Sequence, residues 1–150
     1  MSIYFLIAAL VVLTDLGTKA IILNTLTFGS AIEVMPFFNL VLVMNKGISF
    51  SMFSGFDAWI LTAVAFLISA VLLYFLIKEK DVFTRTCLAL ILGGALGNIV
   101  DRIRYKAVVD FLDFHAFGWH WPAFNIADSA ICIGVVLLLF RMIFKKEKTK

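Results

Sequence analysis

Two side chains near the start of an apolar segment, Asn125 and Asp128, are well suited to do chemistry. They are three residues apart, so a helix would present both of them on one face. The apolar segment continues to Phe144 and is long enough to cross a bilayer. Because a carboxylate in such a segment costs roughly 3 kcal/mol by insertion scales, Asp128 needs either a partner or a function.

The composition of the chain indicates a membrane protein. Of its 150 residues, 63% are hydrophobic, whereas soluble domains average about 45–50%. The net charge is only +3 and the basic residues are scattered, which argues against nucleic-acid binding. Cys87 and Cys132 lie in apolar segments, so we expect two buried thiols rather than a disulfide.

The hydropathy pattern predicts a membrane all-α fold in one integral membrane domain over residues 1–150, with four transmembrane helices. Asp15 and Lys19 in the first helix are four residues apart and can pair on one face. An acid there also argues against a cleaved signal peptide. The predicted ranges are helices at about 3–23, 58–77, 85–101 and 124–144, a small extracytoplasmic β-rich element at about 24–56, and an amphipathic outer loop at about 103–122.

Four spans place both termini on one side of the membrane, and the basic residues predict which side. The termini and the 78–85 loop carry most of the Lys and Arg residues, so the positive-inside rule puts both termini in the cytoplasm. The β-rich element and the outer loop then face outward. In the third helix, Gly93, Gly94 and Gly97 favour close packing against neighbouring helices.

This topology brings polar residues from distant parts of the chain to one depth, just under the outer surface. The inner halves of the helices are almost wholly apolar apart from Arg141. Such a gathering of polar groups is how membrane proteins build a site. The gathered residues are Asp15, Asn45, Asn98, Asp101, Arg102, Asp110, Asn125 and Asp128.

Two carboxylates that face each other across a water molecule can hydrolyse a peptide bond without a metal. The ionised acid takes a proton from the water, and the protonated acid donates a hydrogen bond to the scissile carbonyl. Close like charges and partial burial favour a pair that holds one proton near neutral pH. Asp110 and Asp128 could supply this pair, and Asp113 is the nearest rival of Asp110.

Five sequence blocks, in order and at suitable spacing, resemble the signal peptidase II family of bacterial membrane aspartic proteases. Each block alone is a weak signal, but together they cover essentially the whole chain. Ile48 is a small departure, since the family often has Ala there. The blocks are Asp15 with Lys19, the residues 45–51 (NKGISFS), the residues 97–102 (GNIVDR), the residues 108–111 (VVDF) and the residues 124–128 (FNIAD).

The resemblance implies a role for each of these polar residues. Asp110 and Asp128 correspond to the catalytic dyad. Substrate-binding or dyad-positioning roles fall to Asn45, Gly47, Asn98, Arg102 and Asn125, and structural support falls to Asp15, Lys19 and Asp101.

The resemblance also implies the substrate and the location. Such enzymes remove signal peptides from diacylglyceryl-modified prolipoproteins, cutting just before the lipidated cysteine. We therefore expect lipid-modified prolipoproteins and membrane lipids as partners, no nucleic acid, no cofactor or metal, and a monomer. The expected location is the bacterial cytoplasmic membrane, with the active site near the outer leaflet.

Several other interpretations stay open at the level of sequence. His115 and His120 with Asp113 could suggest zinc, although their spacing matches no metalloprotease helix motif. Cys132, one turn after Asp128, would need a nearby His to act as a nucleophile. A small transporter would need polar residues across the full membrane depth. A scaffold would use the polar cluster only to hold helices together.

Overall fold

A computed structural model of the chain describes residues 2–47 and 58–144, and in these ranges four helices are long and apolar enough to cross a bilayer. This confirms the predicted four-span membrane fold. Large apolar side chains such as Leu13, Leu67 and Ile143 are exposed on the outside of the bundle, where lipid would cover them. The helices are α1 (Ser2–Thr25), α2 (Ala58–Lys78), α3 (Val82–Tyr105) and α4 (Ile126–Phe144).

A four-stranded antiparallel sheet in the order β1-β2-β3-β4 accompanies the helices. The segment 103–122, which the sequence predicts to be an outer loop, contains the third strand of this sheet. In this strand, Val108 to Phe114 pairs with Phe38 to Asn45 of the second strand. Backbone pairing satisfies groups that a loop would leave to solvent, which explains why this segment is extended. The strands are β1 (Ala31–Met35), β2 (Phe38–Asn45), β3 (Val108–Ala116) and β4 (Trp119–His120).

Helix α3 lies at the centre of the bundle and packs against the three other helices. Asp81 caps the start of this helix, because its carboxylate accepts hydrogen bonds from the backbone N–H and hydroxyl of Thr84. These bonds, followed by the ion pair with Arg141, lower the pKa of Asp81 to about 2. The helix ends where Lys106 adopts a left-handed conformation, with φ of 54°. The chain then turns directly into β3.

Glycine allows α3 to approach its neighbours closely. A Cβ atom on Gly94 would lie 2.7 Å from the side chain of Ile131 and against the backbone of Ala127 in α4. A Cβ atom on Gly97 would lie 2.7 Å from the carboxylate of Asp15 in α1. Larger residues would therefore separate the helices that carry the predicted site residues.

A short bridge fixes the start of α4 beside β3. The Phe124 carbonyl accepts from the N–H groups of Phe111 and Leu112, and the Phe124 N–H donates to the Leu112 carbonyl. The first turn of α4 is thereby held next to Asp110. Beneath the sheet, a small apolar core joins it to the end of α1; its buried residues are Ile22, Leu26, Leu42, Val109 and Phe111.

Both cysteines are free, in agreement with the sequence. Cys87 is buried in the bundle as predicted, but the prediction was wrong for Cys132, which is exposed. Its position on α4 lies outside the packed core, and composition alone does not distinguish an exposed position in an apolar helix from a core position.

Candidate active site

Asp110 lies on β3 with its side chain almost fully buried. Its Oδ1 accepts a hydrogen bond of 2.7 Å from the amide of Asn125, and its Oδ2 accepts one of 2.9 Å from the amide of Asn45. Burial raises the pKa of Asp110 to about 7, and the negative charge of Asp128 acts in the same direction. The two amides act against these effects but do not cancel them.

Asp128 lies in the first turn of α4 and is only partly buried. Its Oδ1 accepts a hydrogen bond of 2.8 Å from the amide of Asn98 on α3. Its backbone N–H donates to Oδ1 of Asn125 at 2.9 Å, so Asn125 caps the helix. Asn125 therefore contacts both predicted dyad residues: its oxygen accepts from the backbone N–H of Asp128, and its nitrogen donates to the carboxylate of Asp110.

Arg102 and Gly47 lie at the edge of this cluster. The Arg102 guanidinium donates a hydrogen bond of 3.2 Å to the Gly47 carbonyl, and the Gly47 N–H donates to Oδ1 of Asn45 at 3.0 Å. These contacts hold the chain at Gly47, two residues after the end of β2, against α3. The rest of that sequence block, including Ile48, lies outside the described residues.

A buried ionic triad lies behind the cluster. Lys19, only 2% exposed, pairs with Asp15 at 2.7 Å and with Asp101 at 2.9 Å. The pairing of Asp15 with Lys19 agrees with their spacing in the sequence. Lys19 also donates to Oδ1 of Asn98 at 3.2 Å, which links the triad to the carboxylates.

A cavity of about 630 Å³ opens at the two carboxylates. The remainder of the cavity is largely apolar, and its polar end is formed by Asn45, Asn98, Arg102, Asp110 and Asp128. The sequence did not identify the apolar wall that α2 contributes, because nothing in a uniformly apolar span distinguishes the face that lines a cavity. The wall of the cavity includes Leu61, Val64, Ile68, Ile91 and Ile131.

Asp113, the sequence rival of Asp110, lies away from this cavity wall. Its carboxylate accepts from the Asn39 amide at 3.1 Å and contacts the His120 ring at 2.9 Å. His115 stacks on His120, with ring centroids 4.8 Å apart. Within residues 2–47 and 58–144, no group of three or more His, Cys, Asp or Glu side chains could hold a metal ion.

Comparison with known proteins identifies the family to which the chain is similar. The family model of signal peptidase II matches residues 7–144. The chain is 48% identical over 139 residues to a lipoprotein signal peptidase of Paraburkholderia phymatum, covering 89% of this chain and 83% of that relative. It is 40% identical over 151 residues to one of Vibrio parahaemolyticus, covering 96% and 89%.

A solved structure of a bacterial membrane enzyme, determined by the in meso method at 2.3 Å, has the same fold. The TM-score is 0.91 at 36% identity, with 100% of this chain and 93% of that chain covered. Fold and comparisons together define a multi-pass protease of the bacterial inner membrane. The chain belongs to the signal peptidase II family.

Proposed function

We propose that this protein is an aspartic endopeptidase that removes signal peptides from diacylglyceryl-modified prolipoproteins, cutting just before the lipidated cysteine. The observation that carries the proposal is that Asp110 and Asp128 both line the polar end of an otherwise apolar cavity. Asn125 connects them, because it donates to the Asp110 carboxylate and accepts from the backbone N–H of Asp128. An apolar cavity suits a signal peptide and acyl chains, while the polar end admits the scissile bond and water.

The proposed chemistry uses one proton shared by two acids. In the proposed reaction Asp110, whose pKa is raised to about 7, holds this proton, and the Asp128 carboxylate acts as the base. The Asp128 carboxylate takes a proton from water as the water oxygen attacks the scissile carbonyl carbon. The carbonyl oxygen receives the proton of Asp110, which gives a neutral tetrahedral diol.

Breakdown of the diol restores the enzyme. Asp128 gives its proton to the leaving nitrogen as the C–N bond breaks, and Asp110 takes a hydroxyl proton from the diol. The products are the carboxyl end of the signal peptide and the free amino group of the lipidated cysteine. No covalent intermediate and no metal take part in this sequence of steps.

The neighbouring polar groups support the reaction by position. Asn45 and Asn125 donate to the two oxygens of Asp110, and Asn98 donates to Asp128. Arg102 lies in the cavity wall beside them, where its guanidinium can donate to a substrate carbonyl. In this proposal the outer leaflet lies at the level of these groups, with both termini in the cytoplasm.

The test uses purified protein in lipid and a lipidated peptide that carries the cleavage sequence. Asp110→Asn and Asp128→Asn should each lower turnover by at least about 10³-fold, because each removes a group that carries a proton in the reaction. Asp113→Asn is a matched control, since it changes an acid on the same strand that contacts Asn39 and His120 instead. It should retain wild-type turnover.

Turnover near the wild-type rate by either dyad variant would remove the assignment of these two residues. Loss of activity in Asp113→Asn, with the protein still folded in lipid, would transfer the role of Asp110 to Asp113.

A further inference from the structure

The backbone on either side of the site is held by the ionic triad Asp15–Lys19–Asp101. Oδ1 of Asp15 accepts a hydrogen bond of 2.9 Å from the N–H of Ala127, which immediately precedes Asp128. Oδ2 of Asp101 accepts one of 3.0 Å from the N–H of Val109, which immediately precedes Asp110. Each acid of the triad therefore binds the backbone N–H of the residue that precedes one dyad residue.

Lys19 connects the two acids that make these backbone hydrogen bonds. Its ammonium contacts Oδ2 of Asp15 at 2.7 Å and Oδ2 of Asp101 at 2.9 Å. Both acids and the lysine are at most 2% exposed, so water does not compete for these contacts. Lys19 thus connects the two backbone segments from behind, in addition to the backbone bridge that Phe124 makes with Phe111 and Leu112.

The Lys19 ammonium also donates a hydrogen bond to the side chain of Asn98. An ammonium group can only donate, so the atom of Asn98 that faces Lys19 must be the amide oxygen, at 3.2 Å. The amide nitrogen of Asn98 then points at Oδ1 of Asp128. The same oxygen of Asn98 also accepts a hydrogen bond of 3.3 Å from the amide of Asn125, so Lys19 and Asn125 together hold Asn98 in this orientation.

The two other amides are oriented by the same principle. Oδ1 of Asn125 accepts from the backbone N–H of Asp128, and Oδ1 of Asn45 accepts from the N–H of Gly47. In both cases the amide nitrogen is left to face Asp110. Asn98 is the one of these three amides whose oxygen faces a charged side chain, Lys19, in addition to the amide of Asn125.

We propose that Asp15, Lys19 and Asp101 form a buried clamp that contributes to the spacing of the Asp110–Asp128 pair, and that Lys19, together with Asn125, holds the orientation of Asn98. In this role Lys19 is a positioning residue rather than a catalytic residue, and the proposal rests on the proposed function. A displacement of about 1 Å between reacting groups is enough to slow catalysis on the order of 100-fold.

The first test removes Lys19 without changing the net charge of the triad. The double variant Lys19→Met/Asp15→Asn replaces an acid and a base, and the amide oxygen introduced at position 15 can still accept from Ala127. We expect kcat to fall about 10- to 100-fold, with KM changed by less than about threefold. Since the charge of Lys19 lowers the pKa of Asp110, the alkaline limb of the pH profile should also move to higher pH.

The matched control is Arg141→Met, which breaks the ion pair with Asp81 near the other end of the bundle. It should leave kcat, KM and the pH profile unchanged, because this pair makes no contact with the dyad. Thermal unfolding in the same lipid verifies that both variants are folded. A folded double variant with wild-type kcat and pH profile would overturn the clamp.

A second pair of variants decides the question if the double variant does not fold. Asp15→Ala releases the Ala127 N–H, whereas Asp15→Asn keeps an oxygen for it. We expect Asp15→Ala to lose about 10-fold more kcat than Asp15→Asn, and equal activity of the two would contradict the clamp. Full activity of Asp110→Asn or Asp128→Asn in the same assay would instead reject the proposed function itself.

Discussion

Asp110 and Asp113 lie three residues apart on β3, yet their surroundings differ completely. Side chains alternate between the two faces of a strand, so residues separated by an odd number of positions face opposite ways. Asp110 therefore faces Asn45 and Asn125, while Asp113 faces Asn39 and His120. The sequence left these two acids as rivals because the strand itself had been interpreted as a loop.

The raised pKa of Asp110 predicts the pH dependence of cleavage. An acid with a pKa of about 7 keeps its proton below that pH and loses it above. Once Asp110 is ionised, no proton remains for the scissile carbonyl. We therefore expect kcat/KM to fall about tenfold per pH unit well above pH 7.

The measurement is kcat/KM for the lipidated peptide over pH 5–9 at constant ionic strength. A control profile of thermal unfolding over the same range separates loss of chemistry from loss of fold. A flat kcat/KM profile up to pH 9 would contradict the assignment of the proton to Asp110.

At the scale of elements, the packing of α3 on α4 places Asn98 against Asp128. Gly94 is a point of close approach between these two helices, because a Cβ atom there would meet Ile131 and the backbone of Ala127. Ala127 immediately precedes Asp128, so a small shift of α4 at this point moves the carboxylate directly. Close packing at glycine and the geometry of the site are therefore coupled.

Gly94→Ala should displace α4 and lower both stability and activity. Overpacking of this kind costs about 1–3 kcal/mol of unfolding free energy, and we expect kcat to fall about tenfold or more. Thermal unfolding and peptide cleavage, both in lipid, measure the two effects.

Gly17→Ala is the matched control, because it is the same change within helix α1 and its Cβ would have no neighbour within 4 Å. It should be neutral or stabilise the protein by about 0.5–1 kcal/mol, with kcat unchanged. If Gly94→Ala behaves like Gly17→Ala, the contact between α3 and α4 does not position the site.

At the scale of the whole molecule, the sheet and the polar cluster lie at one end of the bundle. The ion pair between Arg141 and Asp81 lies at the connection between α2 and α3, at the opposite end of α3 from β3. The basic residues around positions 78–85 and the termini predict that this second end is cytoplasmic. The site would then open toward the outer leaflet.

Thiol labelling in intact cells tests this orientation. In a background without Cys87 and Cys132, a membrane-impermeant maleimide should label Trp119→Cys, whose native side chain is well exposed in the β3–β4 hairpin. Lys80→Cys, exposed between α2 and α3, should be labelled only after the membrane is opened. The reverse pattern would invert the predicted topology.

The sequence by itself determined the four spans, because a chain that crosses lipid needs about 20 apolar residues and must satisfy its backbone within each helix. It also determined the pairing of Asp15 with Lys19, since their spacing of four residues is a local property of a helix. The sequence blocks that resemble signal peptidase II can also be identified from the sequence alone, and the family match confirms the resemblance.

Only the tertiary structure decided that the predicted outer loop pairs with β2, that Asp110 rather than Asp113 lies in the cavity wall, and which amide oxygens face donors. Strand pairing and amide orientation depend on partners far away in sequence: Asn98 contacts Lys19, 79 residues before it, and Asn125 contacts Asp110, 15 residues before it. Local pattern carries no information about which of these distant groups will meet, because their meeting depends on how the helices and the sheet pack together.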